Sequence, residues 1–146
     1  MGDRPTELDL NLSQNTYSSS LLPVNAIGVR AAPKSAYIGR EMVPVVRLDS
    51  WAATAGIQGR MFLKIDTQGY ELKVLQGATD ILPLIHGMLV ECSLTPQYEG
   101  QPLLHEIMEF LHRWHFQVID ILPGLRDPTS GRFLGLDVLA KRVRPA

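Results

Sequence analysis

The chain has 146 residues, 45% hydrophobic and 20% charged, enough for one domain, 1–146, with its own core. Its 14 Lys and Arg against 15 Asp and Glu leave a net charge of −1, which gives no support to a nucleic-acid or anionic-membrane partner. Cys92 is the only cysteine, which excludes an internal disulfide and a cysteine zinc site. The start, Met1 to Pro5, has no basic region followed by an apolar run, and no apolar stretch approaches a membrane span. The expected location is therefore cytoplasmic.

In chain order, Glu7–Leu12 alternates polar and apolar residues and predicts a strand with one wet face. Ser13–Ser20 is polar and turn-like. Leu21–Arg40 is broken by Pro23, Gly28, Pro33 and Gly39 and reads as loop with at most one short strand. Met42–Leu48 predicts an edge strand, because Pro44 cannot donate a ladder hydrogen bond. Asp49 is placed to cap a short helix over Ser50–Ala55, and Gly56 suits its end.

Met61–Ile65 is short and mostly apolar, as in a strand covered by helices on both faces. Asp66 stands where that strand ends, and Gly69 permits a sharp turn. Helical spacing then runs from Glu71 to about Leu82, before Pro83. Met88–Cys92 is a second short apolar strand. Two strands joined by a helix make a βαβ unit, hence a parallel pair. After a polar loop at Thr95–Pro102, Leu103–Trp114 predicts a helix, Phe116–Leu122 a strand and Leu134–Ala140 a last strand. Lys141–Ala146 reads as a polar tail.

The run Leu63-Lys64-Ile65-Asp66-Thr67-Gln68-Gly69-Tyr70-Glu71-Leu72-Lys73-Val74-Leu75-Gln76-Gly77-Ala78 closely resembles the FkbM family of S-adenosylmethionine-dependent methyltransferases. Further segments resemble that family in the same order. They are Asn15–Leu21, Val46–Trp51, Val90–Ser93, Tyr98–Pro102, Gly131-Arg132 and Leu136–Leu139. The resemblance implies a Rossmann-like fold, S-adenosylmethionine as cofactor, and a hydroxyl on a small molecule or sugar as acceptor. No G-x-G-x-x-G occurs in the chain, and no glycine cluster follows a strand in Met1–Arg40. By resemblance, the sequence reads as the C-terminal part of the domain, with the cofactor-binding N-terminal half absent. His115 stands where the family usually has glycine, and a left-handed helix end there is open to it at the cost of strain.

In open α/β sheets, ligands bind at the carboxyl ends of the strands. Asp66 and Glu91 end neighbouring strands and are the candidate catalytic pair. A carboxylate can orient an acceptor hydroxyl and take its proton, and two close carboxylates push one pKa up. Asp66, Gly69 and Glu71 are the candidate cofactor contacts. Tyr98, Glu99 and Gln101, on the loop after a strand end, are candidate substrate contacts. Asp66 has the alternative of capping the next helix, and Glu71 that of a first-turn acid at the helix dipole. Glu91 has the alternative of pairing with Lys64. A lysine in a buried strand needs a partner, and Glu91 and Asp49 are the candidates. Tyr98, Glu99 and Gln101 read equally as a surface loop.

His105, Glu109 and His112 share a helix face but lack a full ligand set, and Cys92 reads as a small buried residue. No metal site is assigned.

The expected architecture is α/β: a partial Rossmann-like sheet of about four strands with flanking helices, plus an N-terminal β segment. In that sheet one edge of Met61–Ile65 lies open, which predicts a homodimer or a companion chain. The leading function is methyl transfer. A second reading is a non-catalytic remnant or half-enzyme acting as an interaction module. A third is a carboxylate-metal hydrolase using Asp66, Glu71 and Glu91.

Overall fold

The computed structural model describes residues 1–143. The last three residues of the expected polar tail lie outside that range. Lys141 and Arg142 are not tail but the end of a strand.

The N-terminal β segment is an antiparallel ribbon of β1 (Thr6–Ser13) and β2 (Tyr37–Val45), with Thr6 opposite Val45 and Leu12 opposite Gly39. A two-stranded ribbon is all edge, so Pro44, opposite Glu7, fits without breaking a sheet interior.

Between these strands the expected loop contains a helix, α1 (Ala26–Ala31). Six residues are too few for a periodic signal. The N-cap of α1 is Asn25, whose side chain accepts from the amides of Ile27 at 2.9 Å and Gly28 at 3.0 Å. Gly28 is there for contact, because a Cβ would lie 2.7 Å from the Gln97 carbonyl oxygen.

α2 (Leu48–Thr54) starts earlier than expected, with Arg47 at its N-cap. Asp49 sits inside the first turn and is ion-paired with Arg47 rather than capping from outside.

The main sheet has four strands in the order β3 (Met61–Ile65), β4 (Ile85–Ser93), β6 (Gly135–Arg142), β5 (Phe116–Pro123). β3 and β4 are parallel, with Phe62 beside Gly87 and Ile65 beside Val90. β6 runs antiparallel to both β4 and β5. The carboxyl ends of β3 and β4 and the turn between β5 and β6 therefore share one edge of the sheet.

α3 (Glu71–Gln76) is shorter than the expected helix to Leu82. The apolar spacing continues past it through turns. Ala78 and Leu82 are fully buried, and a 3₁₀ turn at Leu82–Leu84 leads into β4. Spacing reported burial here, not helix length. α4 (Leu104–Arg113) ends as expected, with His115 in the left-handed region at φ 59°.

The core lies between one face of the sheet and helices α3 and α4. Met88, Val90, Val138 and Ala140 pack there against Val74, Leu75, Ile107 and Leu111. Helices on both faces of β3 were expected, and the structure corrects this. The opposite face carries Phe62, Lys64, Leu89, Glu91, Asp137 and Leu139, none of them fully buried. Phe62 is 62% exposed. β3 is also an edge strand, with no partner on its outer side among the described residues. Within the same residues no helix is long and apolar enough to cross a membrane.

Candidate functional site

Two carboxylates meet where β3 and β4 end. The link between them is Gln68, in the turn from β3 to α3. Its Nε2 donates to Asp66 Oδ1 and to Glu91 Oε2, both at 2.9 Å. Its Oε1 accepts from the Tyr98 hydroxyl at 2.8 Å. Every polar atom of the side chain is engaged, so both carboxylates are fixed from one point.

The backbone of Gln68 is held as tightly. Its φ is 53°, in the left-handed region that a residue with a Cβ adopts at a cost. The Ser20 hydroxyl donates to its carbonyl at 2.6 Å. Gly69 follows at φ 98°, with Leu22 and Tyr98 closing around it. Strain held by surrounding contacts is typical of functional turns.

Asp66 also accepts from Lys64 Nζ at 3.1 Å. The expected partners of Lys64 were Glu91 or Asp49. It pairs with Asp66 instead, two residues further along the same face of β3, and is 61% exposed. The pair is solvated and adds little stability. The capping alternative for Asp66 does not hold: the N-cap of α3 is Tyr70, without a side-chain cap, and Asp66 is engaged by Lys64 and Gln68.

The two carboxylates titrate in opposite directions. Burial raises the pKa of Asp66, but the bonds from Gln68 and Lys64 outweigh it and the net shift is down. Glu91 is pushed up to about 8, first by burial and then by the negative charges of Asp66 and Glu71. At neutral pH Asp66 is ionised and Glu91 holds its proton. Such a split assigns different roles to two acids in one site.

Glu71 belongs to the site as its scaffold. Its Oε1 accepts from the Thr67 amide at 2.9 Å, the Gly69 amide at 3.0 Å and the Thr67 hydroxyl at 3.2 Å. It is buried, which raises its pKa although these bonds oppose the shift. The first-turn position is as read, but the carboxylate reaches back to hold the turn.

The loop after β4 divides. Tyr98 is buried and aimed at Gln68, and Gln101 Oε1 accepts from the Gln97 amide at 2.8 Å. Glu99 is exposed at the surface, away from this network. Cys92 is buried, with its thiol pushed up to about 12 by burial, and so is no nucleophile near neutral pH. On α4, Glu109 pairs with Arg113 at 2.7 Å. Among the described residues no group of three or more His, Cys, Asp or Glu is arranged to hold a metal ion.

Sequence reading identified both carboxylates but not Gln68 or Ser20 as site residues. A Gln-Gly pair in a strand-to-helix turn was the available signal. Nothing local showed that the amide would bridge two strands.

A family model for the methyltransferase FkbM domain matches residues 3–118. The chain belongs to the FkbM methyltransferase family. The match spans the β1–β2 ribbon, the βαβ unit with its carboxylate pair, and α4. The FkbM assignment also agrees with the mixed α/β architecture. No curated protein and no solved structure matches the chain.

Proposed function

We propose that this FkbM domain transfers a methyl group from S-adenosylmethionine to a hydroxyl of a small molecule or sugar. The observation that carries the reading is the Asp66–Gln68–Glu91 cluster at the carboxyl edge of a parallel strand pair.

The residues present fit the cationic part of that cofactor. Asp66 is an ionised carboxylate with its side chain 42% exposed at the strand end, which suits an ammonium or sulfonium. Glu71 and Gly69 act one step back, shaping the turn that presents Asp66. When bound, S-adenosylmethionine supplies an electrophilic methyl group on sulfur.

The chain's own part is to prepare the acceptor. Asp66 takes a hydrogen bond from the acceptor hydroxyl and fixes its direction. Glu91, with a pKa near 8, takes the hydroxyl proton once ionised. A base whose pKa lies close to the working pH is efficient. Gln68 keeps both carboxylates at fixed positions while the proton moves, since orientation governs the rate of an in-line transfer.

The test is a calorimetric titration of S-adenosylhomocysteine into the purified chain. Micromolar binding supports the reading. No heat at millimolar ligand removes it for this chain by itself.

A second reading rests on a different observation. β3 has an open outer edge and an exposed Phe62 beside it. Open apolar edges recruit other strands. Under this reading β3 pairs with a second copy or a companion chain, and the domain acts through that interface.

A further inference from the structure

We infer that the same edge carries a second site, built for an oxyanion, and that the acceptor is therefore an anionic hydroxyl compound. This rests on the methyl-transfer reading above for the word acceptor. The binding site itself does not.

The site is a cavity of about 390 Å³ between α1, the loop after β4 and the turn joining β5 to β6. Each wall is fixed. Asn25, the cap of α1, ties its amide to the Gln97 carbonyl and its side-chain nitrogen to the Pro96 carbonyl, both at 2.9 Å. Gly28 lets the helix close onto Gln97. On the other side, Asp127 Oδ1 accepts from the amides of Thr129 at 2.8 Å and Ser130 at 3.0 Å, which shapes the turn. Asp127 Oδ2 accepts from Arg30 at 2.8 Å, so the helix and the turn are bridged across the cavity.

The lining is rich in donors. Of its charged lining residues two are cationic, Arg30 and Arg132, and one anionic, Asp127, giving a net charge of +1, and Thr95, Thr129 and Ser130 line it too. Asp127 is held ionised, well below the usual carboxylate range, by the Arg30 guanidinium and the turn amides. It neutralises Arg30. Arg132 forms no ion pair among the described residues. Guanidinium forks with hydroxyls beside them match phosphate or carboxylate. Leu134 supplies an apolar wall for the body of the ligand.

Topology places this cavity on the same edge of the sheet as the carboxylate pair. Thr95 lies on the loop that begins where β4 ends, and the same loop sends Tyr98 to Gln68. The amides of Leu94 and Thr95 bond the Leu134 carbonyl, joining that loop to the β5–β6 turn. A ligand anchored at Arg132 thus extends along the edge toward Asp66 and Glu91. The acceptor class is a hydroxylated small molecule bearing a phosphate or a carboxylate.

The test is a nuclear magnetic resonance titration of the full chain with glucose 6-phosphate, glucuronate and glucose, without cofactor. Saturable shifts at the amides of Thr95, Thr129 and Arg132 are expected with the two anions and not with glucose. If only one anion produces them, the source is assigned to phosphate or to carboxylate. Arg132→Gln should weaken binding about tenfold. Asp127→Asn keeps an oxygen for the turn amides and frees Arg30, so it should bind several-fold tighter. Glucose shifting the same amides as strongly, no saturation with either anion, or Arg132→Gln binding like the parent would each overturn the inference. None of these readouts needs methyl transfer. A loss here with S-adenosylhomocysteine still bound would remove the oxyanion site and leave the functional reading standing.

Discussion

The Gln68 amide lies 2.9 Å from Glu91 Oε2, joining the turn after one parallel strand to the end of the next. Because the same nitrogen also serves Asp66, the two acids are coupled through one side chain. Gln68→Ala should raise both carboxyl pKa values, since each loses a hydrogen bond that favours its charged form. Carbon-13 carboxyl titration of the free protein measures this. Unchanged midpoints for Asp66 and Glu91 would remove the coupling.

Gln68→Gly and Gln68→Ala both delete the bridge, but only the glycine is at ease at φ 53°. The glycine variant should be the more stable of the two by about 1 kcal/mol in urea unfolding. Equal stability would mean that the turn relaxes away from this conformation once the side chain is gone.

Glu91 titrates near 8, above its unfolded value of 4.5. A carboxyl with a raised folded pKa contributes stability that is full below the unfolded pKa and is lost as pH rises through the folded one. Glu91→Gln stays neutral, so at pH 9 its melting temperature should exceed the parent's by on the order of 5 °C, and near pH 4 the two should coincide. In turnover, the parent rate should rise with pH to a plateau above about 8. Glu91→Gln should lose that limb and about a hundredfold in rate. A variant with the parent profile would show that Glu91 is not the base.

Glu71 accepts three hydrogen bonds through one oxygen, two of them from backbone amides of the turn. Glu71→Ala should cost about 1–3 kcal/mol in chemical denaturation, because buried amides lose their acceptor. Glu71→Gln keeps an oxygen in place and should cost less. If both variants match the parent, the turn is held by Ser20 and Tyr98 instead.

The exposed Phe62 beside the open edge of β3 gives the association reading a direct check. Sedimentation velocity of the parent should show concentration-dependent self-association. Phe62→Lys, which places a charge there, should shift the population to monomer. A parent that stays monomeric at high concentration would leave a different companion chain as the only partner for this edge.

Strand β3 was legible to the residue, because an apolar run bounded by Gly59-Arg60 and Asp66 is a local pattern. The parallel pairing with β4 followed from the helix between them, and the resemblance pointed to His115 at the end of α4 as the place where the family usually has glycine. Asp66 and Glu91 were found because each ends a strand. The length of α3 was not legible, since Ala78 and Leu82 keep helical spacing while lying in turns. α1 was hidden by its shortness.

What the sequence determined alone was therefore local: strand ends and the family's ordered motifs. The tertiary structure decided which face of β3 is covered, that Lys64 reaches Asp66 rather than Glu91, and that Glu71 turns back onto its own loop. It also decided that Tyr98 and Ser20 converge from two separate segments onto Gln68, which bridges the pair of acids. Hydrogen bonds across distant segments depend on how the strands are ordered and registered. A single sequence records the donors and acceptors but not the distances between them.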